Sequence, residues 1–244
     1  ASYGVTGNFE IPNYGAIGLL GGANYVDGSS QINGVAPSTS SNADLTWETT
    51  YQTNFGVDYA LLNDRIYGSI DVYNSTTQDL LLFVTVPAAS GFDVALTNIG
   101  EVENKGFEFS LTSRNMVGQF NWATDFNFAA NENTVTKLGP EGDDILSSGV
   151  AGARHITRIG DPIGSYYGYV VDGIYQSQAE IDAAPVDELV GSGGARPGDF
   201  RFKDINGDGK ITSDDRTVTG SYHPDYTYGI TNRFNYKNFD LNIF

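Results

Sequence analysis

Phe120-Asn121-Trp122-Ala123-Thr124-Asp125-Phe126-Asn127-Phe128-Ala129 alternates without a break, with Phe, Trp, Thr, Phe and Phe on one side and Asn, Ala, Asp, Asn and Ala on the other. A period of two is the mark of a β-strand whose faces meet different surroundings. The pattern recurs at Trp47, Thr49, Tyr51, Thr53, Phe55, Val57 and Tyr59, at Phe107, Phe109 and Leu111, and at Tyr226, Tyr228, Ile230, Phe234 and Tyr236. The patterned stretches 45–62, 65–79, 101–114 and 119–137 are long for strands, which usually run about 5–6 residues. Tight turns at Asn63-Asp64, Asn115-Met116-Val117-Gly118 and Lys237-Asn238 alternate with long connections at 8–44, 80–100 and 138–224. Short turns at one end and large loops at the other are the habit of membrane β-barrels, whose strands turn apolar residues outward and polar ones inward. The reading is all-β: an antiparallel transmembrane barrel segment of about seven strands. It places Phe120, Trp122, Phe126 and Phe128 toward lipid and Asn121, Asp125 and Asn127 toward the lumen.

Composition agrees. Among 244 residues there are 30 Gly, 15 Tyr, 14 Phe and a single Met, a mixture poor in helix formers and rich in strand and turn residues. Charged residues are only 18%, below the typical quarter. Thirteen Lys+Arg stand against 30 Asp+Glu, and a net charge of −17 repels phosphate, so nucleic-acid binding is excluded. With no Cys there is no disulfide, thiolate metal site or cysteine nucleophile. The longest apolar run, Leu80-Leu81-Leu82-Phe83-Val84, is far short of the roughly 20 residues of a membrane helix. An odd strand count cannot close an up-and-down barrel, so the chain is expected to be an internal segment of a larger one. On composition alone a secreted, Ca²⁺-dependent, carbohydrate-binding β-sandwich or adhesin is the alternative. A dry core between two sheets would distinguish it from a barrel wall.

One stretch carries metal chemistry. Asp204-Ile205-Asn206-Gly207-Asp208-Gly209-Lys210-Ile211-Thr212-Ser213-Asp214-Asp215 places oxygen donors at positions 1, 3, 5, 7, 9 and 12 of a twelve-residue loop, with Gly at 6 and an apolar residue at 8. Asp204, Asn206, Asp208, the Lys210 carbonyl, Thr212 and Asp215 are the candidate Ca²⁺ ligands. Asp in place of Glu at the last position points to a variant loop without flanking helices, and the competing reading is an Asx-rich turn with no ion. His155 and His223 stand alone, Gly191-Ser192-Gly193-Gly194 lacks the Lys-Ser/Thr of a phosphate loop, and no constellation for catalysis is present. Tyr166, Tyr167, Tyr169 and Tyr175, in the connection 138–224, are candidates for stacking on substrate; packing of a large loop is their alternative role.

Several segments together resemble one family. Asn42 through Asp58, Asp71-Val72-Tyr73-Asn74 with Thr77-Gln78-Asp79-Leu80-Leu81, Asn98 through Glu108, Gly160 through Tyr169, Gly198 through Asp215, and Pro224 through Gly229 are similar, in order, to blocks of SusC/RagA-type TonB-dependent outer-membrane transporters. The likeness covers nearly the whole chain. It implies a location in the bacterial outer membrane and a barrel of about 22 strands, of which residues 1–244 form one part, without the N-terminal plug. It also implies contact with the TonB complex through that N-terminal region, a SusD-like surface lipoprotein as partner, outer-membrane lipid around the wall, and import of oligosaccharides or, in some branches, peptides. In this frame 138–224 is a long external loop that includes the Ca²⁺-type loop at 204–215. The family supplies no catalytic residues, so the chain is read as no enzyme.

Overall fold

The computed structural model describes residues 1–139, 142–148, 154–191 and 193–244. Alternation becomes pairing in a seven-stranded sheet built from β1 (Ser2–Asn8), β2 (Glu48–Leu61), β3 (Ile66–Thr85), β4 (Val94–Met116), β5 (Phe120–Leu138), β6 (Thr227–Tyr236) and β7 (Phe239–Ile243). The strands stand in chain order and each is antiparallel to its neighbours. This sheet belongs to a unit of Ala1–Ile145, Arg158–Asp161 and His223–Phe244, while Leu146–Thr157 and Pro162–Tyr222 form a second unit.

Register sorts the side chains, because residues directly opposite across an antiparallel pair share a face. One row runs Val57, Ile70, Phe109, Phe128, Tyr228; the next runs Phe55, Val72, Phe107, Ala130. Aromatic rings meet along this face, with Phe109 and Phe126 at 5.9 Å, Trp122 and Phe234 at 5.9 Å, and Phe128 and Tyr226 at 5.9 Å. Phe120, Trp122, Phe126 and Phe128 therefore share the apolar face and Asn121, Asp125 and Asn127 the other. The apolar band on β5 runs from Phe120 to Ala130. Ten steps of about 3.3 Å on a strand tilted about 40° climb about 25 Å, the height of a lipid-facing band.

Among the described residues, side chains of this face are exposed. Phe55 is 56% exposed and Leu241 56%, whereas the buried apolar residues among those described are Val102, Val135, Leu138, Ile156, Tyr175 and Ile211, none of them in the band. A sandwich would hold such an aromatic face in a dry core, and here these side chains are exposed. No helix among the described residues is long and apolar enough to cross a membrane, which leaves crossing by strands open.

The turn between β2 and β3 puts Leu62, Asn63 and Asp64 at positive φ (56°, 56° and 60°), a left-handed run that reverses the chain in little space. At the opposite end the expected long connection 80–100 is largely absent. Instead β3 and β4 stay paired out to Thr85 and Val94, leaving only residues 86–93 as the link. A bulge between Thr77 and Leu81 explains why the run Leu80–Val84 does not read as strand: it shifts the alternation out of phase. The connection 8–44 likewise contains a hairpin, with Leu20–Gly22 paired to Val35–Pro37 and Tyr25–Asp27 to Ser30–Ile32.

Apart from Ile145, the second unit holds a four-stranded sheet in the order Ile145–Ser148, Arg154–Thr157, Ser165–Gly168, Thr217–Gly220. It also has an antiparallel pair, Val171–Ile174 with Phe200–Phe202, and a parallel pair, Val186–Asp187 with Lys210–Ile211. Its short helix α1 (Gln178–Ala183) starts at Ser177, whose hydroxyl accepts the Glu180 amide at 3.3 Å. Ser192 of the glycine run, and residues 140–141 and 149–153 of the same connection, lie outside the described residues.

Candidate functional site

The polar face of the large sheet is a continuous hydrogen-bonded wall. The Tyr73 hydroxyl donates to Asn131 Oδ1 at 2.9 Å, the Asn131 and Asn133 amides donate to Asn104 Oδ1, and the Ser69 and Ser110 hydroxyls meet at 2.9 Å. Arg233 pairs with Asp125 at 2.7 Å, and Thr112 donates to the same carboxylate at 2.8 Å. Here Gln52, Asn54, Asp71, Tyr73, Ser75, Asn104, Glu108 and Asn131 line a hollow of about 610 Å³. Two of them, Asp71 and Glu108, stand directly opposite each other across β3 and β4. Sequence reading gives these residues no chemistry, because strand periodicity reports orientation and not which strands meet. Gly106 makes the wall possible: the Tyr73 ring lies where a Cβ would stand.

In the second unit the loop 204–215 is held by its own backbone. Asp204 accepts the amides of Gly207 at 2.6 Å and Gly209 at 2.8 Å; Asn206 Oδ1 accepts Asp208 N–H at 2.9 Å; and Asp208 accepts Lys210 N–H at 2.8 Å. Thr212-Ser213-Asp214-Asp215 forms a capping box around one 3₁₀ turn. Asp215, wholly buried, accepts Ile205 N–H at 2.9 Å and Thr212 N–H at 2.7 Å. The Thr212 amide chiefly, then those of Ile205 and Asn206, hold its carboxyl below the usual aspartate range, against the opposing effect of desolvation. Ile211, 1% exposed, anchors the loop through its pairing with Asp187. The mutual repulsion expected of Asp204, Asp208 and Asp215 is thus met by amide dipoles. No three Asp, Glu, His or Cys side chains among the described residues are gathered as a metal-holding group.

The four tyrosines have separate fates. Tyr166 is 43% exposed and its ring lies 5.5 Å from that of His155, which faces it across the strand pair. Tyr167 is half-buried beside it. Tyr169 packs against Phe202 at 5.4 Å and under the Arg216 guanidinium at 5.0 Å. Tyr175 is 2% exposed and belongs to the unit's core, where burial first and Asp187 second push its hydroxyl above the usual range. Packing, the alternative role, describes Tyr169 and Tyr175; Tyr166 presents the most ring surface for stacking.

The sequence profile described as TonB dependent receptor-like, beta-barrel matches residues 1–243. The chain belongs to this TonB-dependent receptor family. Its relatives include TonB-dependent receptor P3 of Formosa agariphila, 41% identical over 250 residues that cover all of this chain and 24% of that protein. TonB-dependent receptor SusC of Bacteroides thetaiotaomicron is 32% identical over 212 residues, 83% of this chain and 19% of that one. Among solved structures, that of the RagAB peptide transporter aligns with a TM-score of 0.73 at 28% identity, covering 98% of this chain and 25% of the other. The chain thus spans about a quarter of the length of relatives such as TonB-dependent receptors P3 and P26 of Formosa agariphila. Members of the family are outer-membrane β-barrels, and in this stretch the barrel is not closed. The family is one of receptors and not of enzymes.

Proposed function

We propose that these residues form part of the barrel wall of a SusC-like importer that takes oligosaccharides or peptides across the outer membrane with a SusD-like lipoprotein. The two-faced sheet carries this reading: one uncovered apolar face about 25 Å tall opposite a hydrogen-bonded polar face. The relatives named SusC and RagAB support it. In this reading the apolar face meets lipid, the polar face lines the lumen, and the connection 138–224 is external, with Tyr166 and Tyr167 on the surface that meets substrate or lipoprotein. The test is uptake of labelled oligosaccharide and labelled peptide by cells carrying the whole protein, with and without functional TonB. Uptake of one cargo class should vanish without TonB. Tyr166→Ala should weaken it about two- to twelvefold, the worth of an aromatic contact of about 0.5–1.5 kcal/mol, whereas Tyr175→Phe should leave it unchanged. Uptake that ignores TonB would overturn the proposal.

Within the same proposal, Ca²⁺ is the ion for the loop 204–215. Its donor set is all oxygen, Gly209 takes the sharp turn at φ 82°, and the apolar eighth position is buried. Asp204, Asn206, Asp208, the Lys210 carbonyl, Thr212 and Asp215 would hold the ion, which would stiffen the loop. Because amides already satisfy the carboxylates, a weak site is expected, on the order of 10⁻⁴ to 10⁻³ M. Ca²⁺ should slow proteolysis at this loop in the native protein and have no effect on Asp208→Ala. Equal cleavage with Ca²⁺ and with chelator would leave the amide-held turn as the whole explanation.

A further inference from the structure

At the long-connection end of the sheet, Asp79 sits at φ 59° in the middle of β3. A left-handed non-glycine residue inside a strand is strained and persists only where its surroundings hold it. Asn98 does much of the holding. Its side-chain amide donates to the Asp79 carbonyl at 2.7 Å and to the Thr46 carbonyl at 2.9 Å, while its Oδ1 accepts Thr46 N–H at 2.9 Å. Nearby, Asn42 donates to the Leu96 carbonyl at 3.0 Å. The Leu81 amide, next to the bulge, is taken up by Glu48 Oε1 at 2.9 Å, and the other Glu48 oxygen accepts Asn8 Nδ2 at 2.9 Å. The next residue, Ile99, accepts Gly139 N–H at 2.8 Å. The bases of three excursions therefore converge on Asn98-Ile99: the segment 9–47, the paired extension 80–99, and the connection that leaves at Gly139.

We propose that Asn98 is a coupling residue, which ties the 80–99 extension to the end of the 9–47 segment so that displacing one displaces the other. The geometry supports coupling over local capping, because one planar amide spends three hydrogen bonds on two segments that are 52 and 19 residues away. Cutting it removes the Asn98 partner from the Thr46 amide and from two carbonyls and frees the Asp79 backbone to relax. The bulge, at Thr77 to Leu81, then becomes the hinge about which the extension turns.

Hydrogen exchange on the whole membrane-embedded protein tests this. Asn98→Ala should speed exchange roughly tenfold or more at 44–47 and at 80–85 together, while amides of 105–113 stay protected. Asn98→Ser, which keeps one short donor and acceptor, should loosen the same two segments to a smaller degree, and it decides the matter if the alanine variant does not assemble. Loosening at 44–47 alone would reduce Asn98 to a local cap and overturn the proposal. So would unchanged exchange in both segments.

Discussion

Phe126→Arg should block assembly of the whole protein in the membrane, while Asn127→Arg, one residue away, should assemble as the parent does. Phe126 lies at the centre of the apolar band on β5, between Leu111 of β4 and Ile230 of β6. A charge facing lipid at mid-depth costs about 2–4 kcal/mol, enough to shift a folding equilibrium by roughly thirtyfold to several hundredfold. Asn127 faces the polar wall, where Ser110 and Gly229 are its cross-strand neighbours and a charge stays hydrated. Heat-modifiable mobility of the full-length protein reads assembly. Single cysteines then read orientation: a membrane-impermeant thiol reagent should reach position 127 and spare position 126. Equal labelling would reverse the faces or remove them.

Gly68→Ala should be nearly as damaging, by a different mechanism. Gly68 in β3 pairs with Tyr59 and Leu111, and the Tyr59 hydroxyl crosses over it to donate to the Ser110 carbonyl at 3.1 Å. A Cβ at Gly68 would strike that same carbonyl oxygen, and the obstacle is backbone. Overpacking typically costs about 1–3 kcal/mol when side chains can yield, and a ladder strand yields less. Lower folding yield and faster exchange at 66–72 and 107–113 are expected. Gly4→Ala is the control, because nothing lies within 4 Å of its Cβ position; a similar loss there would assign the effect to glycine content and not to the crossing.

The strands were legible because their signal is local. Tyr51, Phe55 and Val57 declare a face by themselves, and register then aligns them with Val72 and Ile70 without altering that assignment. The signal fails where geometry departs from the pleat. At the bulge beside Asp79 the alternation slips, so Leu80–Val84 reads as connection when it is paired strand. The loop 204–215 was legible as a turn from its Asp, Asn and Gly spacing. Spacing does not tell whether a carboxylate faces an ion or an amide, because both place oxygens on the same concave side of a turn.

The sequence by itself determined an antiparallel, two-faced, membrane-type sheet with tight turns at one end, since side-chain direction in a strand follows from the pleat alone. Tertiary structure alone decided what depends on residues far apart in the chain. It buried Tyr175 while leaving Tyr166 exposed, although in the sequence the two, nine residues apart, read alike. It matched the carboxylate of Asp215 to the amide of Ile205, ten residues back, and the amide of Asn98 to the backbone of Thr46, 52 residues back. Hydrogen-bond partners of this kind are set by how strands and turns are brought together, and a chain's local pattern carries no record of that distance.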